Sequence, residues 1–312
     1  MKKDNTTYIT EQRDRLKDYI DRHNEENDLR VSGNAVSRSL GISGSQLSQF
    51  MNKKYTGDNL GLAKKINAFL KRQKERVDYN DILQEILSTK NVQRVMNIAR
   101  ICHIEGEIGV VTGEAGISKT SGLKKYISEN PGSGIFIEVV PGMSAKILMT
   151  EISKAVGLAG EGTQYTMFGE VKDKLKNSGR LIIVDEAEHL PVSALELLRR
   201  IHDLAGVGIL ICGLPKLLTN LRGKKNDFKQ LYSRVGVKAE LKDLEQDDVK
   251  MLVQSAIPSS NGLYKHFYRR TQNGRTLSKL IKRSIQVAQV NSVDIDDIDE
   301  TVIEKAKQYV MI

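Results

Sequence analysis

Apolar residues recur along this chain with a helical period at both ends and a strand-and-helix alternation between them. Over residues 7–23, Ile9, Leu16, Tyr19 and Ile20 fall on one side of a helix. In NAVSRSLGISGSQLSQFMNKKYTGD, Ala35, Val36 and Leu40 make one inner stripe. Gly41 supplies a turn, Ile42 plugs it, and Leu47 with Phe50 or Met51 makes a second stripe. That spacing predicts two short helices meeting across a tight turn. Residues 60–76 predict another helix, lined by Leu62, Ile66, Phe69 and Leu70. KRQKERVDYND has no stripe at all, and residues 72–81 are read as a linker.

From about residue 82 the pattern changes. EIGVVTG, GIFIEVV, RLIIVDEAEHL, VGILICG and VGVKAEL read as five short strands. Between them lie helical stretches such as SAKILMTEISKAVGL and PVSALELLRRIHDL, the latter with Pro191 and Ser193 at its start. Apolar strands alternating with helices predict an α/β fold with a parallel sheet covered on both faces. From about residue 245 the pattern is helical only. The expected domains are therefore 1–76, all-α; 77–244, the sheet domain; and 245–312, a helical lid.

Composition narrows the class. With 39% apolar and 28% charged residues over 312 positions, the chain has the make-up of a soluble globular protein. Apolar runs such as Leu181 to Val184 are far too short to span a bilayer, and no apolar core follows the first lysines as in a secretory signal. Cys102 and Cys212 lie in apolar surroundings without metal-ligand spacing, so both are expected as core thiols of a cytoplasmic protein. The net charge of +9 points to a polyanionic partner, and its distribution is uneven. Residues 1–77 hold 16 Lys and Arg against 10 Asp and Glu, and Leu263 to Arg283 holds seven bases and no acid. A solvated helix face is the alternative for either cluster.

The chemistry centres on VVTGEAGISKT, residues 110–120. A phosphate-binding loop has the form G-x-x-x-x-G-K-S/T between a strand and a helix. Here Gly113 opens it, Lys119 and Thr120 close it, and Ser118 stands where the second glycine belongs. The strand before it and a helix from Ser121 to Ile127 supply the required context. Residues Gly113, Glu114, Ala115, Gly116, Ile117, Ser118, Lys119, Thr120 and Ser121 form the candidate nucleotide site. Lys119 would reach the β- and γ-phosphates, and the Thr120 hydroxyl would bind Mg²⁺. The least bulky polar side chain, with its backbone N–H intact, makes Ser118 a tolerated departure. The second motif is LIIVDEAE. A buried strand ending in two acids matches a Walker B strand, with Asp185 on Mg²⁺ and Glu186 on the attacking water, so ATP hydrolysis is expected as well as binding. Arg234 in QLYSRVG stands where oligomeric ATPases present an arginine finger to a neighbour. Arg275 in QNGRTLSKLI opens a lid helix, where it could touch the γ-phosphate. An ordinary surface arginine is the alternative for either. The fourth strand ends in ICGLP, with no polar sensor residue.

The two short helices carry a second function. Their pattern is that of a helix-turn-helix whose second helix exposes Ser45, Gln46, Ser48, Gln49 and Asn52, small polar residues suited to groove edges and phosphates, with Lys53 and Lys54 at its end. A small helical domain for protein contact is the alternative.

Taken in order, these parts resemble the phage Mu B family of AAA+ ATPases. The residues that carry the likeness are SQFMNKKYTGDN, NVQRVMNIARICHIEGEIGVVTGEAGISKT, LIIVDEAEHL and QLYSRV. The resemblance implies an N-terminal helix-turn-helix, an AAA+ core and a helical C-terminal portion. It implies a protein that oligomerises with ATP and Mg²⁺ on double-stranded DNA as a helical filament with little sequence preference. It further implies delivery of that DNA to a transposase in the cytoplasm of a bacterial host, and slow, DNA-stimulated hydrolysis. By it, Lys119, Thr120, Asp185, Glu186 and Arg234 take the family's roles; Ser118 and Leu214 depart from its pattern. The competing readings are a sequence-specific repressor with a nucleotide-sensing core, and an ATPase of another DNA-processing complex.

Overall fold

The computed structural model describes residues 2–26, 33–83, 86–222, 233–260 and 262–311. The chain divides into two compact units, Met1–Gln84 and Glu85–Ile312.

The first unit is helical: α1 (Lys2–Glu26), α2 (Gly33–Leu40), α3 (Gly44–Met51) and α4 (Asn59–Asp81). Its core is the set of stripes read from the sequence. Leu16, Val36, Leu40, Leu47, Phe50, Leu62, Ile66, Phe69 and Leu70 are all buried in one cluster, with Ile9, Tyr19, Ile20, Ile42 and Met51 packed against it. The Tyr19 and Phe69 rings meet edge to face at 5.6 Å, joining α1 to α4. Arg13 of α1 is buried too; its Nε donates to the Phe50 carbonyl at 2.8 Å and its guanidinium lies over the Phe50 ring. A cation at the last carbonyls of α3 also favours that helix end electrostatically. Residues 72–81, expected as a linker, are instead the last turns of α4. They carry no apolar stripe, but Lys, Arg, Gln and Glu are intrinsically good helix formers and neither glycine nor proline interrupts them.

The second unit opens with α5 (Lys90–Glu105) and continues as β1 (Ile108–Thr112), α6 (Lys119–Glu129), β2 (Gly134–Glu138), α7 (Ala145–Ala155), α8 (Gln164–Leu175), β3 (Leu181–Asp185), α9 (Val192–Ala205), β4 (Gly208–Gly213), α10 (Lys216–Arg222) and β5 (Val235–Glu240). The five strands are parallel in the order β2-β3-β4-β1-β5. Alternation along the strands builds two cores. Ile182 and Val184 of β3 join Ile209 and Ile211 of β4 under α7, α8 and α9. Leu181 and Ile183 point the other way, with Leu210, Cys212 and Val111, under α5 and α6. Both cysteines are buried in that second core, as their setting predicted. α5 and α6 approach closely because position 122 is glycine; a Cβ there would come within 2.7 Å of the Val95 side chain.

Among the described residues, four further α-helices follow: α11 (Gln246–Ala256), α12 (Tyr264–Arg270), α13 (Gly274–Val290) and α14 (Glu300–Lys307). This is the all-helical portion expected after residue 245. Among the described residues, no helix is long and apolar enough to cross a membrane.

Candidate nucleotide site and candidate DNA-reading helix

Because β4 lies between β1 and β3, the loop after β1 and the acids ending β3 sit two strands apart at the same carboxyl edge of the sheet. Two strand spacings are about 10 Å, and side chains from both sides close that gap.

The loop turns through Gly113 to Ser118 and delivers the chain into α6 at Lys119. Ile117 is buried and plugs the loop into the core beneath. Ser118 holds φ +74° and ψ 22°, a left-handed conformation in which glycine is at ease and a side chain costs about 1–2 kcal/mol. The serine therefore adopts the glycine's backbone in place of altering the loop, and its N–H keeps its place at the helix start. Lys119 is buried, its Nζ donating to the carbonyls of Gly113 (2.7 Å) and Glu114 (2.8 Å). A cation enclosed by a loop at a helix N-terminus is a receptor for phosphate.

Thr120 and Asp185 meet directly: the hydroxyl donates to Oδ2 at 2.6 Å. Asp185 is fully buried, and its Oδ1 accepts the Glu186 N–H at 3.0 Å. A hydroxyl and a carboxylate side by side offer only hard oxygen donors, which is the chemistry a divalent cation such as Mg²⁺ takes. Glu186 is held at φ +54°, where a non-glycine residue is uncommon and strain accompanies functional sites. Partial burial, then the neighbouring Glu188 carboxyl, push its carboxyl above the usual carboxylate range, with Lys119 opposing.

Glu188 was not assigned from the sequence, although it lies within the quoted motif. It is buried, and its Oε2 accepts the Leu214 N–H at 3.1 Å, while its own carbonyl accepts from Asn220 at 3.1 Å. The end of β4 thus offers no polar side chain, as its sequence indicated, but its backbone amide engages an acid beside Glu186.

A cavity of about 720 Å³ opens beside the loop. Asn91, Arg94, Ile117, Leu241, Tyr268 and Gln272 are among its walls. Sequence reading missed it, because its walls come from α5, the loop, the segment after β5 and the lid. Asn91 is buried and its amide donates to the carbonyls of Ile117 (3.2 Å) and Lys242 (2.7 Å), fixing the floor.

The lid comes to the loop through Arg275, whose backbone N–H donates to the Gly116 carbonyl at 2.9 Å. Its side chain is exposed. Arg234 is elsewhere. It immediately precedes β5, whose first residue Val235 pairs with Ile108 at the start of β1, so it lies at the opposite edge of the sheet from the loop. Five residues of strand separate the two edges, about 16 Å, beyond the reach of an arginine. Its Nε lies 3.5 Å from Asp203 of α9, and its side chain is 57% exposed. Of the QLYSRV motif, Gln230, Leu231 and Tyr232 lie outside the described residues.

In the first unit, α2 and α3 are joined by Gly41, Ile42 and Ser43, with Gly41 at φ +65°. Ser43 caps α3 through a reciprocal box with Gln46. Ser45, Ser48, Gln49, Asn52, Lys53 and Lys54 are exposed, as the sequence pattern predicts. Gln46 differs: it is half-buried, and its Oε1 accepts the Ser43 N–H at 3.0 Å, so its side chain is already engaged in the cap of α3.

The sheet order and the loop between β1 and α6 are those of a P-loop AAA+ fold. Residues 103–221 match the family model described as AAA domain. The chain is similar in sequence to Mu B proteins. It is 23% identical over 234 residues to the Mu-like prophage FluMu DNA transposition protein B of Haemophilus influenzae, covering 73% of this chain and 81% of that one. It is 24% identical over 228 residues to the ATP-dependent target DNA activator B of Escherichia phage Mu, covering 70% and 71%. Among solved structures it is similar to the ORC2 protein of Aeropyrum pernix in its ADPNP–ADP complexes, with a TM-score of 0.54, 14% identity, and coverage of 71% and 67%. That likeness supports the AAA+ fold.

Proposed function

We propose that this protein is an ATP-dependent DNA-binding protein that assembles on target DNA and delivers it to a transposase, which it activates. The observation that carries the reading is the direct contact of Thr120 with Asp185 beside the enclosed Lys119, in a chain whose relatives are named for ATP-dependent target-DNA activation. Lys119 binds the β- and γ-phosphates, with the loop N–H groups of residues 113–121 around them. The cavity beside Asn91 and Tyr268 takes the base. Thr120 and Asp185 would hold Mg²⁺, which neutralises charge on the phosphates. Glu186 orients the attacking water and draws its proton; a carboxyl held above its usual range is better matched to that task. Arg275 serves the γ-phosphate from the lid. Arg234, out of reach of its own loop and half-exposed, serves the loop of a neighbouring copy, which makes hydrolysis a property of the oligomer. Hydrolysis is slow, is stimulated by DNA, and loosens an assembly that runs as a filament along the duplex.

Ser45, Gln46, Ser48, Gln49, Asn52, Lys53 and Lys54 form the DNA-reading face of the first unit. The host cytoplasm, where phage and element DNA lies, is the site of action.

The test is binding to random-sequence duplex DNA with no nucleotide, with ADP and with ATP–Mg²⁺, for wild type and Lys119→Ala. Cooperative binding by wild type with ATP alone supports the proposal. Binding that is identical in every condition removes it and favours a repressor that reads one operator through the exposed face of α3.

A further inference from the structure

We propose that Asn273 is a positioning residue for the phosphate loop, acting from the lid through the carbonyl of Ala115. This rests on the nucleotide reading above and adds to it a residue that touches neither phosphate nor cation.

Asn273 is the N-cap of α13, and its two amide atoms do different work. Its Oδ1 accepts the Thr276 N–H at 3.2 Å, an ordinary cap. Its Nδ2 donates to the Ala115 carbonyl at 2.6 Å, across 158 residues of chain. One peptide further on, the Arg275 N–H donates to the Gly116 carbonyl at 2.9 Å. That N–H is one of those a helix start leaves without an intrahelical partner. The lid is therefore hydrogen-bonded to two consecutive carbonyls of the loop.

A peptide unit is planar and trans, so holding its carbonyl oxygen fixes its N–H in the opposite direction. The Ala115 carbonyl shares its peptide with the Gly116 N–H, and the Gly116 carbonyl with the Ile117 N–H. These amides belong to the turn whose N–H groups cradle phosphate. Donation to a carbonyl also polarises the peptide and strengthens its N–H as a donor.

The fit at this contact is tight on both sides. A Cβ on Gly116 would lie 2.4 Å from Asn273 Oδ1 and 2.9 Å from the Arg275 Cβ. A Cβ on Gly274 would lie 3.0 Å from the Gly116 carbonyl and 3.2 Å from the Ser118 Oγ. The serine that departs from the loop pattern thus faces a lid position with no side chain to meet it.

The experiment compares wild type, Asn273→Ala and Asn273→Ser in the full chain, by titration with the fluorescent nucleotide mant-ADP. Serine keeps the helix cap but is too short to reach Ala115; alanine loses cap and reach together. The expected result is that both variants bind mant-ADP about three- to tenfold more weakly, the effect of one lost hydrogen bond, while only Asn273→Ala also loses its cap and melts measurably earlier without nucleotide. Wild-type affinity in Asn273→Ser overturns the proposal, because the cap alone then accounts for the residue. Failure of the wild type to bind mant-ADP is a separate outcome that removes the nucleotide reading itself, and the inference with it.

Discussion

Asn91→Ala tests how the cavity beside the loop is held open. Asn91 is 3% exposed and stands at the second position of α5. Its amide donates to Ile117 inside the loop and to Lys242 after β5, so one side chain ties three segments together. Alanine removes both donors. The Ile117 side of the contact is buried, and an acceptor stranded there costs about 1–3 kcal/mol. The Lys242 carbonyl is only partly covered and can turn to water, so its loss is nearer the net value of a hydrogen bond, about 0.5–1.5 kcal/mol. The sum is roughly 1.5–4.5 kcal/mol, or a fall of roughly 3–18 °C in the melting transition of a unit this size. Calorimetry of the nucleotide-free protein reads it directly. Lys90→Ala is the control from the neighbouring residue. Lys90 pairs with Glu245 across the same junction, but the two side chains are 45% and 56% exposed, and solvent screens the pair. Its loss should barely move the transition. If Asn91→Ala melts within a degree or two of wild type, or Lys90→Ala costs as much, the buried amide is not what holds the junction.

Glu186→Gln should change the pH dependence of stability in protein free of nucleotide and divalent cations. Its partial burial and the neighbouring Glu188 carboxyl raise the folded-state carboxyl above the ordinary carboxylate range, so the folded state holds that proton more tightly, and stability falls as pH rises from the ordinary value through the raised one. The glutamine variant lacks this fall. It should gain on wild type across that window in urea midpoints, and parallel profiles would contradict the assignment. The thiols give a simpler check. Burial pushes Cys102 up to about 12 and Cys212 well above its usual value, so neither forms appreciable thiolate at pH 8. A disulfide reagent such as Ellman's should leave both untouched in the native protein and modify both after denaturation; rapid reaction of either in the native state shows that its pocket opens.

Several elements were legible because their determinants are local. The five strands, the loop, the Asp185–Glu186 pair and the stripes of α1 and α4 each rest on residues close in sequence. α8 escaped the sequence reading although Met167, Val171 and Leu175 form its buried stripe and Thr163 caps it. The far end of α4 escaped for another reason: its helix is written in propensity and carries no apolar period to read.

The sequence by itself marked the candidate phosphate and cation residues, because a strand, a tight turn, a lysine and a hydroxyl follow one another within a dozen positions. It also determined the two faces of the sheet, since period-two alternation assigns each strand residue to one side. Tertiary structure decided what surrounds that chemistry. Strand order places β4 between β1 and β3, and so brings Thr120 against Asp185 over a gap of 65 residues. It places Arg234 at the far edge from its own loop, sets Glu188 on the end of β4, and lays Asn273 on Ala115. Such contacts depend on the packing of elements distant in the chain, and no period or spacing in the sequence records them.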